Sequence, residues 1–139
     1  MRTLIDTCVL SELRRPHPSP RVKAHFSVLA DDDIFLSVFT IGELRKGIDQ
    51  LKAGKKKSGL EAWLQQLVSA TPGRLLPIDL ETATLWGELA AKAAKAGRPL
   101  PAIDCLIAAT AIQHGLHLMT RNVADFEPTG VLLVNPWQD

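Results

Sequence analysis

The sequence predicts an α/β fold built on a mainly parallel, five-stranded sheet. Short apolar runs alternate along the chain with longer segments of helical spacing, and no tight-turn signal joins two runs into a hairpin. The runs have the length and near-continuous hydrophobicity of strands that are buried on both faces of a parallel sheet. They cover residues 2–5, 34–37, 74–78, 116–120 and 131–134.

The segments between these runs have the residue spacing of helices. Residues 39–51 are amphipathic, and residues 60–69 place their leucines on one face. Residues 83–96 are rich in alanine, and residues 102–114 are almost entirely apolar, which predicts a helix buried on most sides. These last two segments are followed by Gly97 and Gly115, and glycine commonly follows the end of a helix.

Two further stretches are predicted to be loops. Residues 52–59 are dense in lysine and glycine, and Pro16, Pro18 and Pro20 stiffen an earlier connection. Neither stretch has the composition of a linker between domains. Because 139 residues also suit one hydrophobic core, residues 1–139 are predicted to form a single domain.

The composition is that of an ordinary folded protein. It is 46% hydrophobic and 22% charged with a formal net charge of +1, which excludes a disordered tail or a polycation. Any nucleic-acid binding must therefore use a local basic patch. Cys8 and Cys105 lie far apart in apolar stretches without zinc-site spacing, and we expect buried, reduced thiols.

No targeting segment is evident in the sequence. Asp6 and Glu12 interrupt any apolar region of a signal peptide, and no run approaches the ~20 apolar residues of a membrane helix. We therefore expect a cytoplasmic protein that does not enter a membrane.

Four acidic residues follow strands or open helices, and all of them belong to one predicted edge of the sheet. They are Asp6, Glu43, Asp104 and Asp125. The carboxyl ends of parallel strands share an edge, so these side chains can converge. Two carboxylates ~5 Å apart repel by about 3 kcal/mol at an effective dielectric constant of ~20, so four together require a cation. Oxygen ligands without histidine or cysteine suit Mg²⁺ or Mn²⁺, whose chemistry includes phosphodiester hydrolysis by an activated water.

Helix capping is the alternative explanation for each acid taken alone, because acidic residues at helix N-termini complement the helix dipole. Thr40-x-x-Glu43 has the form of a capping box, and Asn122-x-x-Asp125 loosely imitates one. Asp79, which follows the third apolar run, is interpreted as a simple N-cap and left outside the site. The shared edge of the sheet, rather than any one acid, favours a metal site.

Four stretches in register resemble one protein family over nearly the whole chain. They are LIDTCVLSEL, LSVFTIGELRKGI, PAIDCLIAATA and LMTRNVADF. They resemble the PIN-domain ribonucleases, and within them the VapC-type toxins of the FitB-like branch. That branch tends to end in a strand followed by Asn-Pro-Trp, as VLLVNPW does here.

The resemblance implies a PIN-like three-layer α/β/α fold and the toxin of a type II toxin–antitoxin pair. Such a toxin is a Mg²⁺- or Mn²⁺-dependent endoribonuclease that hydrolyses RNA and is inhibited by a VapB-like antitoxin. The antitoxin, rather than the toxin, is expected to contact operator DNA, and the toxin is expected to be a homodimer.

Carried over by position, Asp6, Glu43 and Asp104 match the principal acidic residues of that family, as catalytic residues and metal ligands. Asp125 is expected to be the fourth carboxylate, and Asn122 can assist through its amide oxygen or a bound water.

Neighbouring positions are also informative. Thr7 and Thr120 match hydroxyl positions that the family often has beside its site. Cys8 stands where asparagine or serine is commoner, so a polar contact from this position is in doubt.

Six basic residues lie near the predicted acidic edge, where they either guide RNA phosphates or are simply solvated. They are Arg14, Arg15, Arg45, Lys46, Arg98 and Arg121. Trp63 and Trp86 are interpreted as core or interface residues, and His114 and His117 as structural.

Two other functions compete with the nuclease. A phospho-accepting receiver domain needs paired acids after the first strand and a lysine after the last, whereas Asn135 and Pro136 follow the last strand here. The second is a non-catalytic module that acts as an antitoxin-bound DNA corepressor, and it remains an alternative.

Overall fold

A computed structural model of the chain describes residues 1–138, and its strands form one parallel sheet. The strands are β1 (Thr3–Ile5), β2 (Ile34–Ser37), β3 (Leu75–Leu76), β4 (His117–Met119) and β5 (Leu133–Val134). Their order is β3-β2-β1-β4-β5, and each neighbouring pair is parallel, which confirms the predicted fold class. Most strands are shorter than the apolar runs. The run over residues 74–78 shrinks most, since Pro77 has no N–H to continue the ladder.

The centre of the sheet is the place where the strand order reverses. The chain passes from β1 to β2 and β3 on one side, then returns to β4 and β5 on the other. Thr3 pairs with His117 and Ile5 with Met119, so Asp6 and Thr120 emerge side by side. In open parallel sheets, ligand sites form at the carboxyl ends of the strands beside such a reversal.

Seven α-helices surround the sheet in the described part of the chain. They are α1 (Thr7–Leu13), α2 (Pro20–Ser27), α3 (Val38–Asp49), α4 (Lys55–Ser69), α5 (Leu80–Lys95), α6 (Ala102–Gln113) and α7 (Val123–Phe126). No helix within residues 1–138 is long and apolar enough to span a bilayer.

Both predicted loops were partly wrong. Lys55 begins α4 instead of lying in a loop, and Gly54 precedes it. Pro20 begins α2, where its missing N–H costs no hydrogen bond, and the Ser19 hydroxyl accepts from the Val22 N–H at 3.4 Å. Proline clusters at the start of a helix resemble those of a loop, so composition alone misassigned α2.

The two faces of the sheet bury separate apolar clusters. Leu4 packs with the α6 residues Ile107 and Ala108, whereas Ile5 packs with Val9 of α1 and Leu44 of α3. Successive strand residues point to opposite faces, so adjacent positions contribute to different layers. Half of α6 is buried, and its alanines face both the sheet and α5, as its composition predicts. The result is the predicted three-layer arrangement.

Asp79 is the N-cap of α5, as predicted, and has no part in the acidic edge. Its Oδ1 accepts from the Thr82 N–H at 3.0 Å, and the Thr82 hydroxyl accepts from the Asp79 N–H in return. Gln113 of α6 donates to the same carboxylate at 2.9 Å, so the cap also joins two helices. These donors lower the pKa of Asp79, with the Thr82 N–H the largest cause.

We expect Asp79→Ala to lower the urea midpoint at pH 7, because α5 loses its cap and Gln113 loses its acceptor. A carboxylate with a lowered pKa stabilises the fold above its ordinary value of 3.8 and loses this effect as the pH falls through the lower native value. The difference between variant and wild type should therefore shrink in acid. Asp32→Ala, which removes an exposed acid outside α5, is the control. An equal loss in both variants would contradict the assignment.

Candidate active site

Asp6 stands at the end of β1 and is both an N-cap and the centre of the acidic edge. Its backbone N–H donates to the Met119 carbonyl at 3.0 Å, and its Oδ1 accepts from the Thr7 N–H at 2.8 Å. The capping explanation is therefore correct for Asp6. A carboxylate has about four lone-pair directions, however, and the cap uses one of them. Asp6 is only 8% exposed, so its remaining acceptors are largely shielded from water.

Thr120 holds the other oxygen of this carboxylate. It follows β4 directly, is fully buried, and donates its hydroxyl to Asp6 Oδ2 at 2.8 Å. The same hydroxyl accepts from the Asn122 N–H at 3.0 Å. One threonine thus fixes the Asp6 rotamer and ties it to the turn that leads into α7.

Glu43 reaches the acidic edge from α3. The Ser37 hydroxyl begins that helix by accepting from the Phe39 N–H at 3.1 Å. The predicted Thr40-x-x-Glu43 capping box is therefore wrong, because the helix starts before Thr40. Glu43 instead accepts the Thr7 hydroxyl at 2.7 Å, across the junction of α1 and α3.

Asp104 and Asp125 lie in the first turns of α6 and α7. Neither carboxylate has a hydrogen bond or an ion pair with any residue in the described range 1–138. Asn122 precedes α7, but its side chain caps nothing, so the imitation of a capping box is wrong here too. Asp104 is half-buried and Asp125 is exposed, so the lack of a partner is unusual only for Asp104.

The Asp104 carboxyl interacts electrostatically with the other three acids. Burial raises its pKa most, and the charges of Asp6, Asp125 and Glu43 raise it further, in that order. Residues that are nearly 120 positions apart therefore share one electrostatic field at the edge of the sheet. A cation placed among them would relieve this repulsion.

Cys8 lies against the same carboxylate. Its sulfur is 3.6 Å from Asp6 Oδ2 and 3.7 Å from the Thr120 hydroxyl, so a weak polar contact does exist at this position. Burial, followed by the charge of Asp6, raises the pKa of the Cys8 thiol. The thiol is therefore kept neutral and acts as a weak donor. Cys105 is buried and reduced, as predicted.

The donor set suits a hydrated magnesium or manganese ion. In the described part of the chain, no three acidic, histidine or cysteine side chains are grouped closely enough to hold an ion unaided. Mg²⁺ retains several waters and binds through one or two carboxylates together with substrate phosphates, so such an open site fits it. The oxygen-only carboxylates are also poor ligands for soft metals.

A cavity of about 250 Å³ opens beside Glu43, between α1, α3 and α4. Thr7 and Glu43 line its polar end, whereas Leu60 and Trp63 line its apolar end. Lys56 also lines it, although this lysine falls in the stretch predicted to be a loop. Trp63 is half-buried: it packs against the apolar cluster around Ile5, as expected of a core residue, and its remaining surface forms one wall of the cavity.

The six basic residues predicted near the edge differ in their surroundings. Arg15 pairs with Glu12 at 3.3 Å, and Arg45 pairs with Asp49 and Glu61, so these two are neutralised locally. Arg14 and Arg121 instead lie over the rings of Trp63 and Trp137, at 5.7 and 4.9 Å from the ring centroids. Arg98 lines a separate cavity beside α5, and Lys46 is exposed. Trp137 belongs to the VLLVNPW ending noted in the sequence, but its position under Arg121 is revealed only by the tertiary structure.

We expect Thr120→Val to destabilise the fold by about 1–3 kcal/mol, since it leaves the Asn122 N–H and Asp6 Oδ2 without their buried partner. Thr120→Ser keeps the hydroxyl and should retain most of that free energy. Urea unfolding measures both variants. Equal stability of the valine variant and the wild type would show that the hydrogen bond contributes nothing.

We expect Asp104→Asn to raise the melting temperature at pH 7 in EDTA, because it removes a negative charge that partial burial disfavours and that three neighbouring carboxylates repel. An acid with a raised native pKa destabilises the fold above that pKa, and the effect disappears below its ordinary value of 3.8. The gain should therefore vanish as the pH falls. Asp32→Asn, at an exposed site away from the edge, should not change the melting temperature. A neutral or destabilising Asp104→Asn would contradict the convergence of the four charges.

The sequence matches the PIN domain family over residues 3–128. It is 40% identical to Toxin FitB of Neisseria gonorrhoeae, over 98% of this chain and 99% of that protein. It is 35% identical to VapC ribonuclease Y4jK of Sinorhizobium fredii, over 97% of both chains. The crystal structure of FitAcB from Neisseria gonorrhoeae superposes with a TM-score of 0.94 at 39% identity, over 99% of both chains. The chain therefore belongs to the PIN-domain family, in the FitB-like branch of the VapC toxins.

Proposed function

We propose that this chain is the toxin of a toxin–antitoxin pair and a Mg²⁺- or Mn²⁺-dependent endoribonuclease. The observation that carries the proposal is the convergence of Asp6, Glu43, Asp104 and Asp125 on one electrostatic field without a neutralising side chain. The names of the two similar proteins, a toxin and a ribonuclease, support the same activity.

In this proposal all four acids contribute to binding the ion. Asp6, Asp104 and Glu43 hold the ion directly or through water, and Asp125 completes the site from α7. When bound, the ion activates a water for attack on the phosphodiester and stabilises the leaving oxygen. Thr120 and Thr7 orient the Asp6 and Glu43 carboxylates through the hydrogen bonds described above. Burial and the three neighbouring carboxylates disfavour the charged form of Asp104, and an ion bound beside it would offset that cost.

A VapB-like antitoxin is the proposed inhibitor. The cavity between α1, α3 and α4 joins an apolar wall to Glu43, so a bound peptide there can reach the acidic edge. Operator DNA is expected to be contacted through that antitoxin. The homodimer remains a prediction.

The competing proposal is a module without catalysis, in which the carboxylates only hold the fold or the antitoxin. Such a module needs no ion and leaves RNA intact. Neutralising single acids separates the two proposals, because a structural acid and a metal ligand respond differently.

We expect purified, antitoxin-free protein to cut a pool of structured RNAs at discrete positions in Mg²⁺ or Mn²⁺ and to leave them intact in EDTA. Asp6→Asn and Asp104→Asn should each lower the cleavage rate by roughly 100-fold or more, because each removes a charged ligand. Gel analysis of end-labelled RNA gives the rates.

Asp79→Asn is the matched control, because Asp79 also follows a strand but lies outside the four-acid cluster, and it should cut normally. Circular dichroism should show that each variant is folded. Intact RNA with folded wild-type protein, together with no heat of Mn²⁺ binding by calorimetry, would favour the non-catalytic module.

A further inference from the structure

Three arginines lie over aromatic rings in the described residues, and two of them flank the acidic edge. Arg14 lies over Trp63 and Arg121 over Trp137, whereas Arg2 lies over Phe35 at the opposite, amino-terminal edge of the sheet. Arg121 makes the shorter of the two edge contacts, at 4.9 Å. Within residues 1–138 its guanidinium has no ion pair and no hydrogen bond, so its donors are available to a ligand.

The backbone at Arg121 is fixed beside the candidate metal site. Arg121 directly follows Thr120, whose hydroxyl donates to Asp6. Its own backbone N–H faces the Cys8 sulfur, which lies against the same carboxylate. The next residue, Asn122, leads into α7 and Asp125. The side chain of Arg121 thus originates between two of the four acids.

The indole under this guanidinium is held in place by the end of the chain. Thr120 donates its N–H to the Val134 carbonyl at 2.9 Å, which sets β5 and the tail alongside the Arg121 turn. The Trp137 N–H donates to Asn135 Oδ1 at 3.0 Å, and Arg21 donates to the Trp137 carbonyl at 3.4 Å. The ring also packs against the apolar cluster around Ile5. The ring of Trp137 is therefore held in a fixed position beneath the Arg121 guanidinium.

Stacking on an indole allows a cation to lie near the carboxylates without forming an ion pair with them. A site of four carboxylates repels a polyanionic strand, so a cation must lie close to it. A guanidinium that paired with Asp125 or Asp104 would neutralise the site and compete with the metal. Stacking on Trp137 keeps the charge nearby and leaves the guanidinium fork free, and that fork matches a phosphate in two hydrogen bonds.

We propose that Arg121, positioned by Trp137, binds an RNA phosphate adjacent to the one that is cut. This inference rests on the proposed nuclease function and assigns a substrate-binding role to a pair outside the carboxylates. Arg121 contacts the RNA backbone and carries no base specificity. Trp137 acts through Arg121 and is a positioning residue.

The test measures binding and cleavage separately. Fluorescence anisotropy with labelled oligouridylate in EDTA reports binding without cleavage, over a series of salt concentrations. Arg121→Ala should weaken binding roughly three- to tenfold and reduce the slope of log K against log salt by about 0.7, the value for one phosphate contact on a single strand. Arg121→Lys should retain most of the slope but bind more weakly, because it loses the planar fork.

Two tryptophan variants and one matched arginine variant complete the design. Trp137→Leu should weaken binding, and Trp137→Phe should weaken it less because a ring face remains. Arg2→Ala removes the same kind of pair from the far edge and should change neither affinity nor slope. In steady-state cleavage, Arg121→Ala should raise KM more than it lowers kcat.

The outcomes separate this inference from the nuclease proposal. Equal salt slopes for Arg121→Ala and Arg2→Ala would overturn the inference, even if the wild type cuts RNA. A selective loss of slope in Arg121→Ala would support it, even if no cleavage is found. Oligouridylate binding that is unchanged in Arg121→Ala, with weakened binding of the antitoxin, would also overturn it and assign the pair to the protein partner.

Discussion

The pairing of β1 with β4 is the constraint on which the site depends. Its register places Ile5 opposite Met119, so the chain emerges from the two strands at Asp6 and Thr120. The buried hydrogen bond between these residues then fixes the orientation of the central carboxylate. A shift of one residue would move each side chain of the strand to the other face and separate the pair. The geometry at the edge is thus a consequence of sheet register, and the helices add Glu43, Asp104 and Asp125 around it.

The acidic edge is also a place where stability and function oppose each other. Asp104 has no stabilising partner in the described chain, and burial together with three neighbouring carboxylates raises its pKa. Evolution for stability alone would favour an amide or an arginine partner at such a position. The divalent ion of the proposed function would resolve the conflict, because it would attract all four charges that otherwise repel one another. For this reason stability and activity are expected to respond in opposite directions to Asp104→Asn.

Much of this arrangement was predictable from the sequence, and the failures have identifiable physical causes. The parallel sheet followed from the unbroken apolar runs, and the shared edge of the four acids followed from the carboxyl ends of those strands. Helix α2 was missed because Pro20, its first residue, ends a series of prolines that is equally typical of a loop. The capping box at Thr40 was wrong because Ser37 caps three positions earlier, and both residues have suitable side chains. Sequence spacing cannot reveal Trp137 under Arg121, since that contact joins a strand end to the chain terminus through tertiary packing.

The placement of arginines explains how a nearly neutral protein with an acidic site can meet a polyanion. Arg15 and Arg45 are neutralised by neighbouring carboxylates and contribute little field at the edge. Arg14 and Arg121 lie over tryptophans, which contribute attraction through the ring quadrupole without adding negative charge. Arg14 lines the cavity that Thr7 and Glu43 also line, and Arg121 directly follows Thr120, whose hydroxyl donates to Asp6. Each of these two positive charges therefore lies near a carboxylate of the acidic edge without being paired to it, so the edge can hold acidic side chains and still attract a phosphate backbone.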